Sequence, residues 1–432
     1  MRSLGIDIGS TKIAAVSVDL TTGEVYSLGS VATPALPSTF EGEHIQDAKA
    51  IIQVVKHLID EHLNDEVSCI GLSGQMHGIV YLDEKGQVVS PLYTWQDTRG
   101  KSHAERLGIS PGYGHATHAY NTENGLVPSN AHGYATIVDA VCASLCGLSR
   151  PVIHASNAAS LGCFHVEKNR FVAPWNVKYP YEIESAYRVV GEYQGIPVAV
   201  GIGDNQASVL GSGCAKGEML INIGTGAQVS VLSDGPAPGG IIETRPAFDG
   251  YYLLVGATLC GGRAYALLHD FFCDVVEMAT GERPVNLYEA MASYQQHAPD
   301  ASLRFDNSFC GTRQNPAKRG SIQGIGADNF TPRQFCLGLL EGIINELAEL
   351  AFATGAPVHG LVGAGNALQK NPLLQQLCEK RFGLPLRMTA YREQAAVGAA
   401  LYAAISTGVF ENANAATTLL NAASKPNGTI IP

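Results

Sequence analysis

The 432-residue chain is 46% hydrophobic and 16% charged, with 48 glycines, which excludes a disordered or coiled protein and implies two or three globular domains rich in tight turns. Its 28 basic and 39 acidic side chains give a formal net charge of −11, so a basic footprint for nucleic acid is absent. Acidity still permits an anionic substrate, because backbone amides at glycine turns can hold phosphate without side-chain charge.

In chain order, LGIDIG, TKIAAVSVDL, the turn TTGE and VYSLGSVA read as hairpin material. Residues 47–63 carry Ile51, Ile52, Val55, Leu58, Ile59 and Leu63 at helical spacing. CIGLSG and GIVYLD are short strands, and residues 134–147 form a helix closed by Gly147. Ile196–Ile202 is a strand that runs through Gly203 into Asp204. FDGYYLLVGATL adds hairpin signals, followed by long helices. One covers 332–354, with Thr331 as cap, Pro332 at the first position and Gly355 after the end. Another covers 372–382 between Asn371 and Gly383, and a last small-residue helix covers about 395–406. The tail from Glu411 is small and polar and carries no motif. The ten cysteines include no CxxC pair, which favours buried reduced thiols over structural zinc. MRSLGIDIGS contains no apolar signal segment, and no apolar run approaches the ~18 residues that span a bilayer, so a cytoplasmic protein without a membrane partner is expected.

The chain repeats itself. LGIDIGSTKIAAVSV (4–18) and LINIGTGAQVSVL (220–232) both read strand, glycine turn with a hydroxyl, strand. Aligning Ile8 with Ile223 puts Gly9 on Gly224, Ser10 on Thr225 and Asp7 on Asn222. Such turns offer amides and a hydroxyl to phosphate oxygens; alternatively they are plain hairpin turns that need glycine for positive φ. Only the first half can present a full negative charge, at Asp7, to a Mg²⁺ shared with phosphates, and Lys12 adds a point charge nearby. GSTK (9–12) is not a GxxxxGK[ST] loop, and no GxGxxG links a strand to a helix. A third cluster, HGLVGAGNALQKNPLL (359–374), reads as a strand entering a glycine loop and a helix. The bare Gly363 and Gly365 would let a flat ring lie against the backbone, unless this is an ordinary strand-to-helix turn. The domain boundary is placed near 214–219, giving domains 1–214 and 215–432.

These elements, in this order, resemble the FGGY family of carbohydrate kinases over about residues 4–408. The resemblance implies an α/β fold of duplicated ribonuclease H-like (actin-like ATPase) domains with an inter-domain cleft. IDIGSTK (6–12) and INIGTGAQ (221–228) look like the two phosphate motifs, and LVGAGNALQKNPL (361–373) like the adenosine motif. This implies ATP binding by Gly9, Ser10, Thr11, Lys12, Gly224, Thr225, Gly226, Gly363, Gly365 and Asn366, with Mg²⁺ at Asp7. GLSGQMHG (71–78) is similar to the sugar-binding stretch of xylulokinases, and GDNQAS (203–208) to the segment bearing the family's catalytic aspartate. WQDTR (95–99), SNAASLGCF (156–164) and YLLVGATLCGG (252–262) look more like sedoheptulokinases, whereas Asn205 and IGTG look like xylulokinases.

The implied reaction is phosphoryl transfer from ATP to a primary hydroxyl of a ketose, sedoheptulose first and xylulose as the alternative. Such a transfer needs alignment, a cation and a base near the attacking oxygen. Asp204 suits the base, though D-N-Q-A also reads as an N-cap. Gln75, Met76, His77, Trp95, Asp97, Asp204 and Asn205 are the candidate sugar contacts. Gln75 and His77 alternate along a segment read as extended, so they would point the same way. Trp95 is either a stacking platform for a sugar C–H face or a core tryptophan, and His77 either a ligand or a core histidine. Arg99 holds Asp97, a sugar hydroxyl or a surface ion pair, and Asn157 and Ser160 have a structural reading. A homodimer stays open. A non-catalytic sugar sensor would not need a base and a metal carboxylate together, and a sugar-independent ATPase would not need GLSGQMHG and WQDTR.

Overall fold

The computed structural model describes residues 1–172, 182–295, 302–312, 315 and 317–423. The first hairpin is β1 (Arg2–Ile8) and β2 (Lys12–Asp19), extended antiparallel by β3 (Val25–Ala32). Helix α1 (Ala48–His62) follows, capped by Asp47, whose carboxylate accepts from the amides of Lys49 and Ala50. Its buried Ile51, Ile52, Val55, Leu58 and Ile59 are the periodic positions read from the sequence. Then come β4 (Val67–Gly74), α2 (Ile137–Cys146), α3 (Ala155–Ser160), β5 (Val189–Tyr193), β6 (Ile196–Ala199), β7 (Ile202–Gly203) and α4 (Asp204–Gly211). The strand order is β5-β6-β4-β1-β2-β3, with β7 also on β4. β1, β6 and β7 all run parallel to β4, which is almost wholly buried, as expected of a central parallel strand.

The second half rebuilds this plan. β8 (Glu218–Ile223) and β9 (Ala227–Ser233) form the hairpin, followed by β10 (Glu243–Pro246) and β11 (Tyr252–Thr258). After α5 (Gly262–Thr280) and α6 (Pro332–Ala353) come β12 (Gly360–Ala364), α7 (Asn366–Lys370), α8 (Pro372–Phe382) and β13 (Leu386–Met388). The order is β10-β11-β9-β8-β12-β13, and β12 runs parallel to β8 as β4 does to β1. The caps are those the sequence signals: the Thr331 hydroxyl accepts from Gln334, Asn371 accepts from Leu374, and Gly355 and Gly383 are left-handed.

The chain divides into two compact units, but not at one point. Met1–Ala215 is joined by Arg245–Tyr252 and by the residues from Ala390 on, while Lys216–Thr244 and Leu253–Thr389 form the second unit. The expected division into 1–214 and 215–432 therefore needs correction, because the last helices pack with the first unit. The reason lies in α9 (Gln394–Ser406), QAAVGAALYAAIS, which is nearly all small residues. A Cβ on Gly5 would stand 1.9 Å from the Ala396 carbonyl oxygen, and one on Gly71 1.8 Å from that of Ala399. Gly211 and Gly398 interlock α4 with α9 equally closely, at 1.9 Å from the Gln394 carbonyl and 1.8 Å from that of Ala207. No side chain fits these contacts, so glycine and alanine allow backbones to touch where larger residues would hold them apart. The tail beyond Glu411 forms a helix as well, α10 (Ala413–Ala423), whose Asn421 donates to the Gly213 carbonyl at 2.9 Å. All ten cysteines are free thiols. No described helix is long and apolar enough to cross a membrane.

Candidate active site

Parallel register brings the first unit's carboxylates together. Asp7 on β1 pairs with Ser73 on β4, and Ser73 pairs in turn with Ile202 on β7. Ile8 and Gly203 flank Gly74 from opposite sides, so Asp204, the next residue, emerges at the same edge of the sheet as the end of β1, across β4 from it. Asp204 is the first residue of α4 rather than its cap; the cap position is Gly203, whose backbone is extended. A helix start favours a carboxylate electrostatically, but here the carboxylate is not spent on capping.

Asp7 and Asp204 are half-buried residues whose carboxyl groups are strongly desolvated. Burial pushes Asp7 up to about 7, the negative charge of Asp204 adds to the rise, and a 2.9 Å hydrogen bond from the Ser73 hydroxyl opposes it. Burial raises Asp204 as well, against the 2.9 Å hydrogen bond that Asn205 Nδ2 donates to its Oδ1 and the charge of Arg245. Two carboxylates that repel each other at one strand edge suit a hard cation with oxygen ligands. Among the described residues no group of three or more His, Cys, Asp or Glu side chains is arranged to hold a metal ion.

The first glycine turn is anchored through its carbonyls. Gly9 N–H closes it on the Lys12 carbonyl at 3.0 Å. The Thr33 hydroxyl donates to the Gly9 carbonyl at 2.8 Å, Gln46 Nε2 to that of Ser10 at 2.7 Å, and Thr33 N–H to that of Thr11 at 3.0 Å. The Ser10 hydroxyl accepts from the Trp95 indole at 2.7 Å and donates to Gln75 Oε1 at 3.4 Å, while Gln75 Nε2 donates to Gln46 at 2.8 Å. Trp95 is 47% exposed, so it is not a core tryptophan. Thr11 and Lys12 are exposed, and the Lys12 ammonium pairs with Glu393 at 2.5 Å.

Gln75, Met76 and His77 do not continue a strand. His77 has φ +73°, Gly78 N–H bonds back to the Met76 carbonyl, and the alternation that would aim Gln75 and His77 together is lost. The His77 ring instead stacks on Tyr113 at 4.3 Å, with Nδ1 2.8 Å from the Ser160 carbonyl. Met76 is buried beneath Gly203, where a Cβ would come within 2.7 Å of its sulfur, and that sulfur lies 3.8 Å from Asn205 Nδ2. Asp97 is fully buried and saturated. Its oxygens accept from the amides of His44 and Arg99 and from the Arg99 guanidinium at 2.8 and 2.9 Å. Arg99 is nearly inaccessible, also pairs with Glu43 at 3.0 Å, and lies 4.4 Å over Tyr93. This pair is neither a surface ion pair nor an open ligand for sugar. Asn157 and Ser160 are likewise buried and bonded to protein.

The second turn is built differently. Gly9, Gly224 and Gly226 all avoid the left-handed region, so none is a glycine for the sake of positive φ. At Gly9 and Gly226 a Cβ would meet the Lys12 and Thr258 carbonyls, each at 2.8 Å; at Gly224 it would meet nothing within 4 Å. The start of α5 clasps the turn from behind, with Gly262 N–H donating to the Gly224 carbonyl at 2.8 Å and Arg263 N–H to that of Thr225 at 3.0 Å. Gly262 is required there, since its Cβ would sit 2.5 Å from the Gly224 oxygen. The sequence reading assigned Gly261 and Gly262 no role, although two glycines closing an apolar strand are a visible signal. Gly365 has φ +89° and would strike the Ile223 carbonyl at 2.4 Å, which seats the third cluster directly on the end of β8. At Gly363 the absent side chain makes room for Met388, 2.5 Å from a Cβ, so it does not open a surface for a flat ring. Asn366 and Thr225 are exposed.

Comparison with known proteins agrees with this architecture. The family model of the FGGY family of carbohydrate kinases, N-terminal domain, matches residues 3–130, and that of the C-terminal domain matches residues 219–407. A sedoheptulokinase from Mus musculus is 27% identical, over 92% of this chain and 96% of its own length. A sedoheptulokinase from Homo sapiens has the same identity and coverage. A ligand-bound xylulose kinase from Lactobacillus acidophilus shares the fold, with a TM-score of 0.83 at 20% identity over 97% of this chain and 92% of that one.

Proposed function

The chain belongs to the FGGY family of carbohydrate kinases, and from that premise we propose that it phosphorylates a primary hydroxyl of a ketose, sedoheptulose to sedoheptulose 7-phosphate. It is a phosphotransferase acting on a sugar, with ATP as the donor. The observation that carries the mechanism is the emergence of Asp204 from β7 beside Asp7, desolvated and uninvolved in capping. In this reading Asp204 accepts the proton of the attacking sugar hydroxyl as the new O–P bond forms. Its raised proton affinity makes it a better base than an exposed carboxylate. Asn205 orients the Asp204 carboxylate through both its side-chain and its backbone amide.

Asp7, oriented by Ser73, would hold Mg²⁺, which when bound neutralises charge on the phosphates. The Gly9–Lys12 turn in the first unit and the Gly224–Gly226 turn in the second are assigned to ATP phosphates, and Gly365–Asn366 to the nucleoside end. The empty space at Gly224 supports this assignment, because nothing in the protein itself requires glycine there. Trp95 and Gln75 are assigned to the sugar, Trp95 through its exposed aromatic face and Gln75 through the buried amide that Ser10 and Gln46 orient; Met76 and Asn205 shape the floor beside Asp204. Asp97 and Arg99 brace the segment that carries Trp95 rather than touching sugar. His77, stacked on Tyr113 and bonded to the Ser160 carbonyl, is also assigned to the sugar.

Sedoheptulose is preferred over xylulose because two sedoheptulokinases match nearly end to end. Xylulose is the second reading, supported by the GLSGQMHG stretch and the xylulose kinase fold match. The deciding experiment ranks kcat/KM for sedoheptulose, xylulose, ribulose, fructose and glycerol with Mg-ATP and locates the phosphate on the product by NMR. Sedoheptulose should lead by at least tenfold with phosphate on the terminal carbon; a lead for xylulose would select the second reading.

A further inference from the structure

Behind the candidate base lies a buried polar network that the mechanism above does not use. Asp139, in the first turn of α2, is completely buried, and so is Asn157 on α3. The Thr136 hydroxyl donates to Asp139 Oδ2 at 2.6 Å. Asn157 Nδ2 faces two acceptors, Asp139 Oδ1 at 2.9 Å and the Gly201 carbonyl at 3.1 Å. Both amide hydrogens are thus consumed, and the opposite flip of the amide would set oxygen against oxygen. Gly201 immediately precedes β7 and rests on α2, where a Cβ would lie 2.3 Å from Val138. Two residues on, Gly203 N–H donates to the Ser156 hydroxyl at 3.1 Å, and that hydroxyl is held by His154 at 2.7 Å. The Asn157 carbonyl accepts from the Ser160 hydroxyl at 2.7 Å, and Ser160 Oγ accepts from the His77 amide at 3.0 Å. One network therefore clamps the backbone on the approach to Asp204 and the turn bearing His77.

Resting on the phosphotransfer reading, we propose that Asp139 and Asn157 are positioning residues that fix β7, and with it the carboxylate of Asp204, through the Gly201 carbonyl. A capping box alone would need Thr136 and Asp139 but not the link through Asn157. Proton abstraction in the transition state depends on sub-ångström placement, and the buried links from Thr136 through Asp139 and Asn157 to the Gly201 carbonyl are stiff enough to supply it.

The test uses the full chain and the variants Asp139→Asn, Asn157→Ser and Ser156→Ala. Each is read for kcat, KM of ATP, thermal stability and amide hydrogen exchange of residues 201–206. The expected result is at least a tenfold loss of kcat for the first two, a KM for ATP within twofold of native, and faster exchange at 201–206. Ser156→Ala, the mildest change, keeps the question open to measurement if either of the others fails to fold; it should lower kcat severalfold. The double variant Asp139→Asn with Asn157→Asp exchanges donor and acceptor between the two positions. It should restore the hydrogen bond between positions 139 and 157 but neither full stability nor kcat, because a carboxylate at position 157 sets oxygen against the Gly201 carbonyl. Tyr81→Phe, which deletes a buried hydroxyl bonded to His118, should lower stability while leaving kcat within twofold. Native-like kcat in Asp139→Asn and Asn157→Ser, or kcat that returns with stability in the double variant, overturns the proposal. If the native chain phosphorylates no sugar, the exchange data still decide. Unchanged exchange at 201–206 refutes the clamp, whereas faster exchange upholds it and places the failure in the phosphotransfer reading.

Discussion

The two glycine turns share a hairpin plan and differ in what surrounds them. The first ends a strand that carries Asp7, bonded by Ser73 and next to Asp204, and its carbonyls and hydroxyl are tied to Thr33, Gln46, Gln75 and Trp95. The second ends a strand whose matching residue is the exposed Asn222, and backbone amides at the start of α5 hold its Gly224 and Thr225 carbonyls. Duplication supplied one scaffold twice, and the copies diverged in charge. On the proposed function, the first unit supplies the cation ligand and the substrate contacts, and the second a turn of amides with open space at Gly224. That proposal puts charge where bonds change and uncharged backbone where a polyanion is only held.

The largest expected effect tests the charged copy. Asp204→Asn keeps size and loses the base, so kcat should fall about 10³-fold with ATP affinity unchanged by calorimetry. Asp7→Ala should lower kcat about 10²-fold at fixed Mg²⁺ and shift the Mg²⁺ titration upward at least tenfold; an unchanged titration would erase the contrast with Asn222. Alanine at each turn glycine sharpens the comparison. Gly224→Ala meets open space, so thermal stability should hold while KM for ATP rises about tenfold. Gly9→Ala collides with the Lys12 carbonyl and should cost about 1–3 kcal/mol of stability in urea unfolding. The smallest effect concerns pH. Burial raises Asp139 from 3.8 to about 7, against hydrogen bonds from Thr136 and Asn157. The folded chain holds this proton more tightly than the unfolded one, so the contribution is present below about pH 4 and lost as pH rises through about 7. The stability deficit of Asp139→Asn relative to native should therefore shrink between pH 4 and pH 7, by on the order of 2 kcal/mol. A constant deficit would remove Asp139 from the charged groups of the first unit.

The repeated strand-turn-strand was legible because it is local: periodicity, glycine and a hydroxyl fix it within a dozen residues. The helices with Thr331, Asn371, Pro332 and Pro372 at their starts were legible for the same reason. Long-range placement was not. That α9 belongs with the first unit follows from backbone contact at Gly5, Gly71 and Gly398, and a run of alanines reads the same wherever it packs. The left-handed His77 gives no sequence signal, because a non-glycine residue at positive φ is held there by partners such as Ser160 and Tyr113. Asp97 read as a sugar ligand because nothing local reveals that Arg99 and the His44 amide saturate it. Conversely, Asp204 stood out early, since a carboxylate at the end of an apolar strand needs a reason.

Coupling of ATP cleavage to a ketose hydroxyl is tested most directly by ADP release from the native chain in Mg-ATP with and without ketose. Release is expected only when ketose is present, one ADP for each sugar phosphate formed. ADP released at the same rate without any sugar would contradict it.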